Sequence, residues 1–322
     1  MKIFKKITII LLCSSILKAL AIENIPPVVV TKPYTSPVKV ITQNEISAFG
    51  VNSLSDALKS LGGLQLQDTT GNGSQVAISM RGFGSNASSN TLLLINGIPF
   101  TNPDIAPPDL NNIPIEEVER IEIFSGSASV LYGDQAVGGV VNVITKKYIQ
   151  DKVNLSCALG SFHTYQCDLG WQRQWKKIQF AMNLKNQTTD NYREHNNYYQ
   201  TNLNGSILYP YSSGSVELIY QIEKEKMLYP GALSREEVDQ DPRAANNDTD
   251  FFADTNGFIH LKQMQALNDV WNVQTNIMRR MMSGNGVLFS PFTQSRVIDF
   301  IQPELQGKIG KVALQGGIDF EN

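Results

Sequence analysis

The sequence predicts an α+β domain followed by an incomplete antiparallel transmembrane β-barrel of about nine strands. Three observations support this prediction: an export signal at the N-terminus, short helices and strands in the first half, and regular alternation of apolar and polar side chains in the second half. The expected boundaries are residues 1–21 for a signal peptide, 22–36 for a leader, 37–147 for the α+β domain and 148–322 for the N-terminal portion of the barrel.

The composition excludes several classes of function. The 322 residues include 27 Lys and Arg against 30 Asp and Glu, with no clustered basic face, so no nucleic-acid partner is expected. An enzyme is not expected either, because no Ser-His-Asp or Cys-His arrangement is suggested and Gly71-Asn72-Gly73 lacks the third glycine of a nucleotide site. The histidines are scattered, so neither a metal site nor a cofactor is predicted; they are His163, His195 and His260.

Residues 1–21 have the features of a cleaved signal peptide. Lys2, Lys5 and Lys6 form a basic start, an apolar run extends from Ile7 to Leu17, and Ala19-Leu20-Ala21 matches a small-residue cleavage site. The alternative is an anchoring helix, which needs about 20 apolar residues to span a bilayer. Because the apolar run is shorter than that, the sequence favours export and cleavage.

The leader contains a short β-prone run, Val28, Val29, Val30 and Thr31, between prolines. Such a segment suits strand addition to the sheet edge of another protein, where backbone hydrogen bonds provide the affinity. The alternative is an apolar stretch of linker.

The α+β domain begins with a predicted strand at Val38–Thr42. Ser53 then has the features of a helix N-cap, and Leu54, Ala57, Leu58 and Leu61 form one apolar face. Gly62-Gly63 ends this helix. The elements predicted after it are strands at Val76–Met80, Thr91–Ile95, Arg120–Phe124 and Val140–Thr145, a hairpin turn at Asn96-Gly97, a helical turn at Pro114–Val118 and a short helix at Ala128–Tyr132.

Four motifs in this domain resemble those of the TonB-dependent receptor plug. Ile78–Phe83 is similar to the family's "IRG" strand, and Leu93–Pro99 resembles its "LIDGVP" hairpin. Val118–Phe124, with Ser129–Gly133, is similar to "VERIEVLRGPASALYG", and Ala136–Lys146 is close to "AIGGVVNIITK". The α+β domain is therefore identified as a plug domain of this family.

The second half alternates apolar and polar residues in segments of about ten, which is typical of a barrel wall with a lipid-facing side. A soluble β-sandwich is the alternative for any single segment. The connections favour a barrel, because short turns alternate with long loops. The predicted short turns lie near Lys176-Lys177, Pro210–Gly214 and Gln265–Asn268, and the long loops near Asp190–Asn197, Met227–Asp254 and Met282–Phe292.

Cys157 and Cys167 lie on either side of a possible turn at Ser161-Phe162, so they are placed to face each other. A disulfide is possible in an oxidising compartment. The favoured interpretation is that they are two small apolar wall residues.

About nine strands do not close a barrel around a plug. Plugged outer-membrane transporters have about 22 strands, whereas an eight-stranded barrel is filled by its own side chains. An open edge in lipid leaves backbone groups unpaired. The chain is therefore interpreted as a fragment or as a truncated gene product, and the alternative function is that of a receptor remnant that does not transport.

The resemblance implies active uptake of a scarce nutrient across the outer membrane. The implied ligand is most often a ferric siderophore, with haem or cobalamin as other options. The implied partners are outer-membrane lipid and TonB, with its proton-driven inner-membrane proteins, and Val28–Thr31 is the candidate TonB box.

The resemblance also implies roles for individual plug residues. Arg81 and Arg120 match plug arginines that bind barrel glutamates, with ordinary salt bridges inside the plug as the alternative. Candidates for ligand binding lie in the loops expected to face outward; they are Phe83, Asn86, Asn102 and Asp104. The alternative for these four is ordinary turn chemistry. The acidic run Glu236–Asp241 is expected to be solvated rather than to bind calcium.

Overall fold

The computed structural model describes residues 39–68, 76–102, 106–126, 129–146, 151–310 and 312–322. Over these residues the chain forms a small mixed domain and a large antiparallel sheet, which confirms the predicted fold class. The signal peptide and Val28–Thr31 lie outside the described residues.

The described strands of the N-terminal domain are β1 Lys39–Thr42, β2 Gln65–Asp68, β3 Val76–Ser79, β4 Thr91–Ile95, β5 Ile98–Pro99, β6 Val118–Ser125 and β7 Gly139–Thr145. Five of them form one sheet with the order β1-β6-β7-β4-β5. Strands β4 and β7 are parallel, and the other neighbours are antiparallel. A separate two-stranded sheet pairs β2 with β3.

Short helices cover this domain. The Ser53 side chain accepts a hydrogen bond from the Asp56 amide, as predicted, and caps α2 (Leu54–Asp56), which continues as a π-helix over Ala57–Leu61. The remaining helices are α1 (Gln43–Phe49), α3 (Ser129–Tyr132) and 3-10 turns at Gly84–Ser89, Leu110–Asn112, Ile115–Glu117 and Asp134–Ala136. No helix among the described residues is long and apolar enough to cross a membrane.

The hairpin between β4 and β5 turns at Asn96-Gly97, as predicted. Both residues have positive φ, 53° and 85°, which suits the type I′ turn that matches strand twist. The Asn96 side chain accepts from the Thr145 amide at 3.0 Å, so the turn is also tied to β7. The apolar core of this domain is formed by side chains of the sheet and of the helix that Ser53 caps. It includes Ile41, Leu54, Leu58, Leu93, Ile121, Ile123, Val141 and Val143.

The second sheet has ten strands, nearly all paired with their neighbours in sequence. The strands are β8 Lys152–Gly160, β9 Thr164–Trp175, β10 Ile178–Thr189, β11 Tyr198–Tyr211, β12 Gly214–Leu228, β13 Phe251–Ala266, β14 Trp271–Leu288, β15 Ser290–Ile309, β16 Val312–Gly317 and β17 Phe320–Glu321. Strand β8 pairs only with β9, and β15 pairs with both β16 and β17, so the described sheet is not closed.

Most of the predicted connections are confirmed, and one is wrong. The long connections at 190–197 and 229–250 lie at the same end of the sheet, and the second contains helix α4 (Arg235–Gln240). The long loop predicted near Met282–Phe292 does not exist. Strands β14 and β15 instead stay paired up to Leu288 and Ser290 and turn at Phe289, because their residues continue the ladder.

The two faces of the large sheet differ in polarity. Alternate residues point to opposite faces, and the face towards the N-terminal domain, here called the inner face, is polar and largely buried. It includes Asp168, Asn183, Lys185, Gln200, Asn202, Glu223, Glu225, Asn256, Asn276, Arg280, Gln302 and Glu304. The outer face exposes apolar residues, among them Leu155, Leu169, Trp171, Ile222, Leu261, Ile277, Ile301 and Leu305.

Cys157 and Cys167 form a disulfide between β8 and β9, which corrects the favoured interpretation of two unlinked wall residues. The two residues are direct partners in the strand register, with Cα atoms 4.2 Å apart. Side chains of directly opposed residues lie on the same face of the sheet, so the two sulfur atoms meet there.

We expect Cys157 and Cys167 to be protected from alkylation in the unreduced, denatured protein. Iodoacetamide treatment is followed by digestion with chymotrypsin, which can cut between the two cysteines at Phe162 and Tyr165. Peptide mapping should then recover the two cysteine peptides as one linked species, and prior reduction should release both as alkylated peptides. In the Cys167→Ser variant, Cys157 should be alkylated without reduction. Alkylation of both cysteines in the unreduced wild type would contradict the disulfide.

Candidate functional site

The N-terminal domain contacts the inner face of the large sheet through its segment 106–117. Gln200 donates a hydrogen bond from Nε2 to the Asn111 carbonyl oxygen at 3.2 Å. Gln221 donates in the same way to the Asn112 carbonyl oxygen at 2.9 Å. These bonds satisfy partly or fully buried polar groups on both sides, which would otherwise lose the hydrogen bonds they make to water.

Local structure explains why these two carbonyl groups are available. The last carbonyl groups of a helical turn have no partner within the turn, and Asn111 and Asn112 end the 3-10 turn Leu110–Asn112. Asp109 caps this turn, because its Oδ1 accepts a hydrogen bond from the Asn111 amide at 2.8 Å. The turn therefore presents its carbonyl oxygens to the amide side chains of the sheet.

A second contact between the domain and the sheet lies at the C-terminal end of segment 106–117. Asn183 of β10 donates from Nδ2 to Glu117 Oε1 at 3.1 Å. Burial raises the pKa of Glu117, and the hydrogen bond from Asn183 opposes that shift. Lys146 donates from Nζ to the Glu116 carbonyl oxygen. These residues line a cleft of about 540 Å³ between the domain and the inner face.

Three carboxyl groups converge where segment 106–117 meets β12, and we refer to Asp109, Glu223 and Glu225 as the carboxylate cluster. One oxygen of each lies within 4.8 Å of the others, and all three residues are buried. The Tyr198 hydroxyl donates to Glu225 Oε2 at 3.1 Å, and Gln200 Nε2 donates to Glu223 Oε1. One acidic residue of the N-terminal domain and two of the sheet thus share one buried place.

Burial raises the pKa of Asp109 to about 7. The hydrogen bond from the Asn111 amide lowers it, and the negative charge of Asp254 on β13 raises it further. Burial raises the pKa because the charged carboxylate is less stable in a buried environment than in water, which favours the neutral acid.

Arg280 of β14 supplies a buried positive charge near the cluster. Its guanidinium carbon lies 4.2 Å from the centre of the Phe100 ring, a cation–π geometry, and Nη1 donates to the Thr101 carbonyl oxygen at 3.4 Å. Only 3% of Arg280 is exposed. The residue therefore connects the sheet to the loop that follows β5.

Apolar side chains complete the contact beside Arg280. Ile98 of the N-terminal domain packs with Met278 and Phe300 of the sheet in one buried cluster. Phe258 packs against that cluster and meets the Phe100 ring edge-on, with ring centres 6.5 Å apart. The interface is therefore mixed, with a small apolar seam beside a larger polar area.

The long connections cover the same end of the sheet. Arg193, in the connection 190–197, donates to the carbonyl oxygens of Gly231 at 2.6 Å and Ala244 at 2.8 Å. It thereby ties the two long connections together. Near the same end of the sheet, Phe252 of β13 and Phe292 of β15 stack with ring centres 5.8 Å apart. The two long connections therefore form one hydrogen-bonded unit at this end of the sheet.

The two predicted plug arginines lie in different surroundings. Arg120 is ion-paired within its own domain, with Glu119 at 2.7 Å and Glu122 at 2.9 Å. Arg81 is exposed in a turn with φ of 56°, and its guanidinium lies beside Gly126. The structure does not bring the two together with the carboxylate cluster, and their pairing with barrel glutamates stays a prediction.

The predicted ligand-binding residues are also separated. Phe83 precedes the 3-10 turn Gly84–Ser89, which contains the exposed Asn86. Asn102 is buried, and its amide group donates to the carbonyl oxygens of Ala106 and Pro107. Asp104 lies outside the described residues. Asn102 thus stabilises its own loop, and ligand binding by the four residues stays a prediction.

Sequence reasoning missed the carboxylate cluster and Arg280. The available signal was the polar half of the alternation, since Glu223 and Glu225 lie two residues apart on one face of β12. Such residues suggest a water-filled interior, and nothing in the sequence shows that segment 106–117 buries them.

We expect Arg280→Met to lower the free energy of unfolding by about 3–5 kcal/mol, because it leaves buried carboxylates without their positive neighbour. Urea denaturation of the detergent-solubilised chain measures this loss. The matched control is Arg279→Met, which removes the exposed pair of Arg279 with Asp299 on the outer face. Exposed ion pairs contribute little, so equal losses for the two variants would contradict the interface described above.

Comparison with known proteins gives a consistent picture. The family described as TonB-dependent Receptor Plug Domain matches residues 31–140. The Vitamin B12 transporter BtuB of Vibrio cholerae is 35% identical over 125 residues, which cover 38% of this chain and 20% of the relative. The protein of the same name from Photobacterium profundum is 35% identical over 114 residues, covering 35% of this chain and 18% of the relative.

Solved structures share the fold over most of the chain. The ferric citrate transporter FecA, in its unliganded form, superposes with a TM-score of 0.75 at 19% identity, covering 89% of this chain and 47% of that chain. The ferric yersiniabactin uptake receptor FyuA of Yersinia pestis gives 0.73 at 15% identity, covering 87% and 47%.

The chain spans about a fifth of the length of the curated relatives that it matches and about half of these solved structures. The relatives are transporters and receptors rather than enzymes. Residues 31–140 therefore match the plug domain of TonB-dependent receptors, and the described part of the chain shares the fold of the solved transporters, a plug domain followed by strands of a β-barrel.

Proposed function

We propose that the protein acts in TonB-dependent uptake of a scarce nutrient across the outer membrane. The observation that carries this proposal is a plug domain held against the buried polar inner face of an antiparallel sheet whose outer face is apolar and exposed. A plug in this position blocks the lumen of a barrel. Uptake then requires the plug to move or rearrange.

The outer face supports an outer-membrane location. Exposed apolar side chains suit contact with lipid, and aromatic residues suit the membrane–water interface. Several aromatic residues lie next to the short turns of the sheet; they are Trp175, Tyr209, Tyr211 and Trp271. Cleavage of residues 1–21 after export is part of this proposal.

Energy for transport has to come from outside the outer membrane, and in this family it comes through TonB. We assign the TonB box to Val28–Thr31, which would add as a strand to a sheet edge of TonB. The contacts at segment 106–117 are compatible with pulling, because they are hydrogen bonds between polar groups that water can replace. A fully apolar interface would resist such separation more strongly.

A ferric siderophore is the ligand that we favour. Fold neighbours covering most of this chain include proteins named as a ferric citrate transporter and a ferric yersiniabactin uptake receptor. Cobalamin is the second candidate, because the Vibrio cholerae relative is named a vitamin B12 transporter. That likeness covers 38% of this chain. Haem is a third option that the family resemblance allows.

Two further assignments belong to this proposal. Arg81 and Arg120 would hold the plug by pairing with glutamates of the barrel, for which Arg is suited by its bidentate geometry. Phe83, Asn86, Asn102 and Asp104 would contribute to the surface that meets the ligand. Asn102 would act by shaping its loop, since its amide group is already hydrogen-bonded there.

We expect deletion of residues 28–31 to abolish energised uptake while sparing binding at the cell surface. Cells that express the gene encoding this chain are given radiolabelled ferric siderophores or cyanocobalamin, and binding in energy-poisoned cells is compared with accumulation in energised cells. The loss follows because strand addition to TonB needs this segment, whereas the ligand is expected to bind on the opposite side.

The matched control replaces residues 22–25 of the same leader with alanine and glycine, which should leave uptake unchanged. Undiminished uptake after deletion of residues 28–31 would exclude the TonB-box assignment. A wild type that binds ligand and never accumulates it would favour the alternative of a receptor remnant.

A further inference from the structure

The carboxylate cluster has more acceptor atoms than its surroundings satisfy. Within the described part of the chain, Asp109 Oδ2 and Glu223 Oε2 are buried without a hydrogen-bond partner. Arg280 does not donate to these oxygens. Its Nη1 donates to the Thr101 carbonyl oxygen, and its Nη2 has no hydrogen-bond partner among the described residues. Buried acceptors without partners are unfavourable, so such a site favours an additional positive ligand.

A neutral side chain points to the same conclusion independently. Gln200 is 2% exposed, and its Nε2 donates to Glu223, which fixes its amide group against the cluster. Its Oε1 has no hydrogen-bond partner among the described residues. This buried amide oxygen, on a side chain that is hydrogen-bonded to Glu223, lacks a donor, and a cation would supply the missing interaction.

We propose that Asp109, Glu223 and Glu225 bind one divalent cation of the calcium type, with Gln200 Oε1 as a further protein ligand. The carboxylate oxygens lie within 4.8 Å of one another. Calcium binds oxygen at about 2.3–2.6 Å, so two oxygens on opposite sides of one ion lie about 4.6–5.2 Å apart. The three carboxylates are therefore close enough to bind the same ion.

The donor set selects against other metals. It consists of carboxylate and amide oxygens, the ligands of hard cations, whereas zinc sites commonly include Cys or His. Magnesium needs near-ideal octahedral geometry at about 2.0–2.1 Å and keeps several waters, so oxygens around it lie closer together. Calcium accepts flexible sets of six to eight oxygen ligands, so it is the hard cation that a site built from protein oxygens of two domains suits best.

The site joins the two domains. Asp109 belongs to the plug segment 106–117, and Glu223 and Glu225 belong to β12 of the sheet. One cation would therefore bridge the plug to the barrel wall. This role goes beyond uptake, because it does not depend on which ligand is carried or on TonB.

The test uses the full chain, purified in detergent, stripped of metal with EDTA and titrated with calcium chloride by isothermal calorimetry. We expect one equivalent of calcium to bind. Glu223→Gln should weaken the affinity at least tenfold, because it keeps the side-chain shape and removes one anionic ligand. Glu223→Gln combined with Glu225→Gln should abolish binding.

Two control variants define the place of binding. Asp168→Asn changes another buried carboxylate of the inner face, which is outside the cluster, and should leave the affinity unchanged. Glu236→Gln with Asp239→Asn removes charge from helix α4 in the exposed connection, and should also leave it unchanged. Calcium binding that is lost in the α4 variant and retained in Glu223→Gln would overturn the proposal.

A second measurement keeps the proposal testable if the Glu223 variants do not fold. The unfolding temperature of the wild-type chain is compared in EDTA and in calcium, since a ligand that binds only the folded state raises it. We expect a rise that the same concentration of magnesium does not reproduce. An unchanged unfolding temperature would overturn the site, and neither result depends on an uptake assay.

Discussion

Polar side chains buried on the inner face of the large sheet require partners, and the plug segment 106–117 provides them. The Asn111 and Asn112 carbonyl oxygens accept hydrogen bonds from Gln200 and Gln221, and Glu117 accepts one from Asn183. Without the plug these groups would need water, and without the sheet the plug would expose its own carbonyl and carboxyl groups. The relative position of the two domains therefore depends on this set of polar contacts.

The same requirement connects the fold to the proposed function. Strand alternation assigns every second side chain to the inner face, so one sheet can be apolar towards lipid and polar towards the plug. A polar interface holds the plug in register and remains separable, because water can replace each hydrogen bond. The carboxylate cluster and Arg280 bring ionisable groups of the plug and the sheet together in this interface. The proposed cation would link the plug to the sheet there, and the link would be lost when the cation dissociates.

Local signals predicted most elements, and long-range contacts escaped prediction for physical reasons. Ser53, the Asn96-Gly97 turn and the alternating strands act over a few residues, so the sequence shows them directly. Helix α1 was missed although Thr42 and Glu45 form a capping box, because no long apolar face follows. The β14–β15 hairpin was predicted as a loop, since its polar and glycine residues resemble turn chemistry. The burial of Glu223 and Arg280 depends on Asp109 and Thr101, which lie more than 100 positions away along the chain and which no local pattern reports.

The most direct test of this account is cross-linking between plug and sheet in the intact chain. Asn112→Cys combined with Gln221→Cys replaces two residues that are in hydrogen-bond contact, whereas Asn112→Cys combined with Tyr220→Cys places the second thiol on the opposite face. Mild oxidation followed by peptide mapping should recover the 112–221 linkage efficiently and the 112–220 linkage at background level. Equal linkage in both pairs, or none in the first, would show that the plug does not lie against the inner face as described.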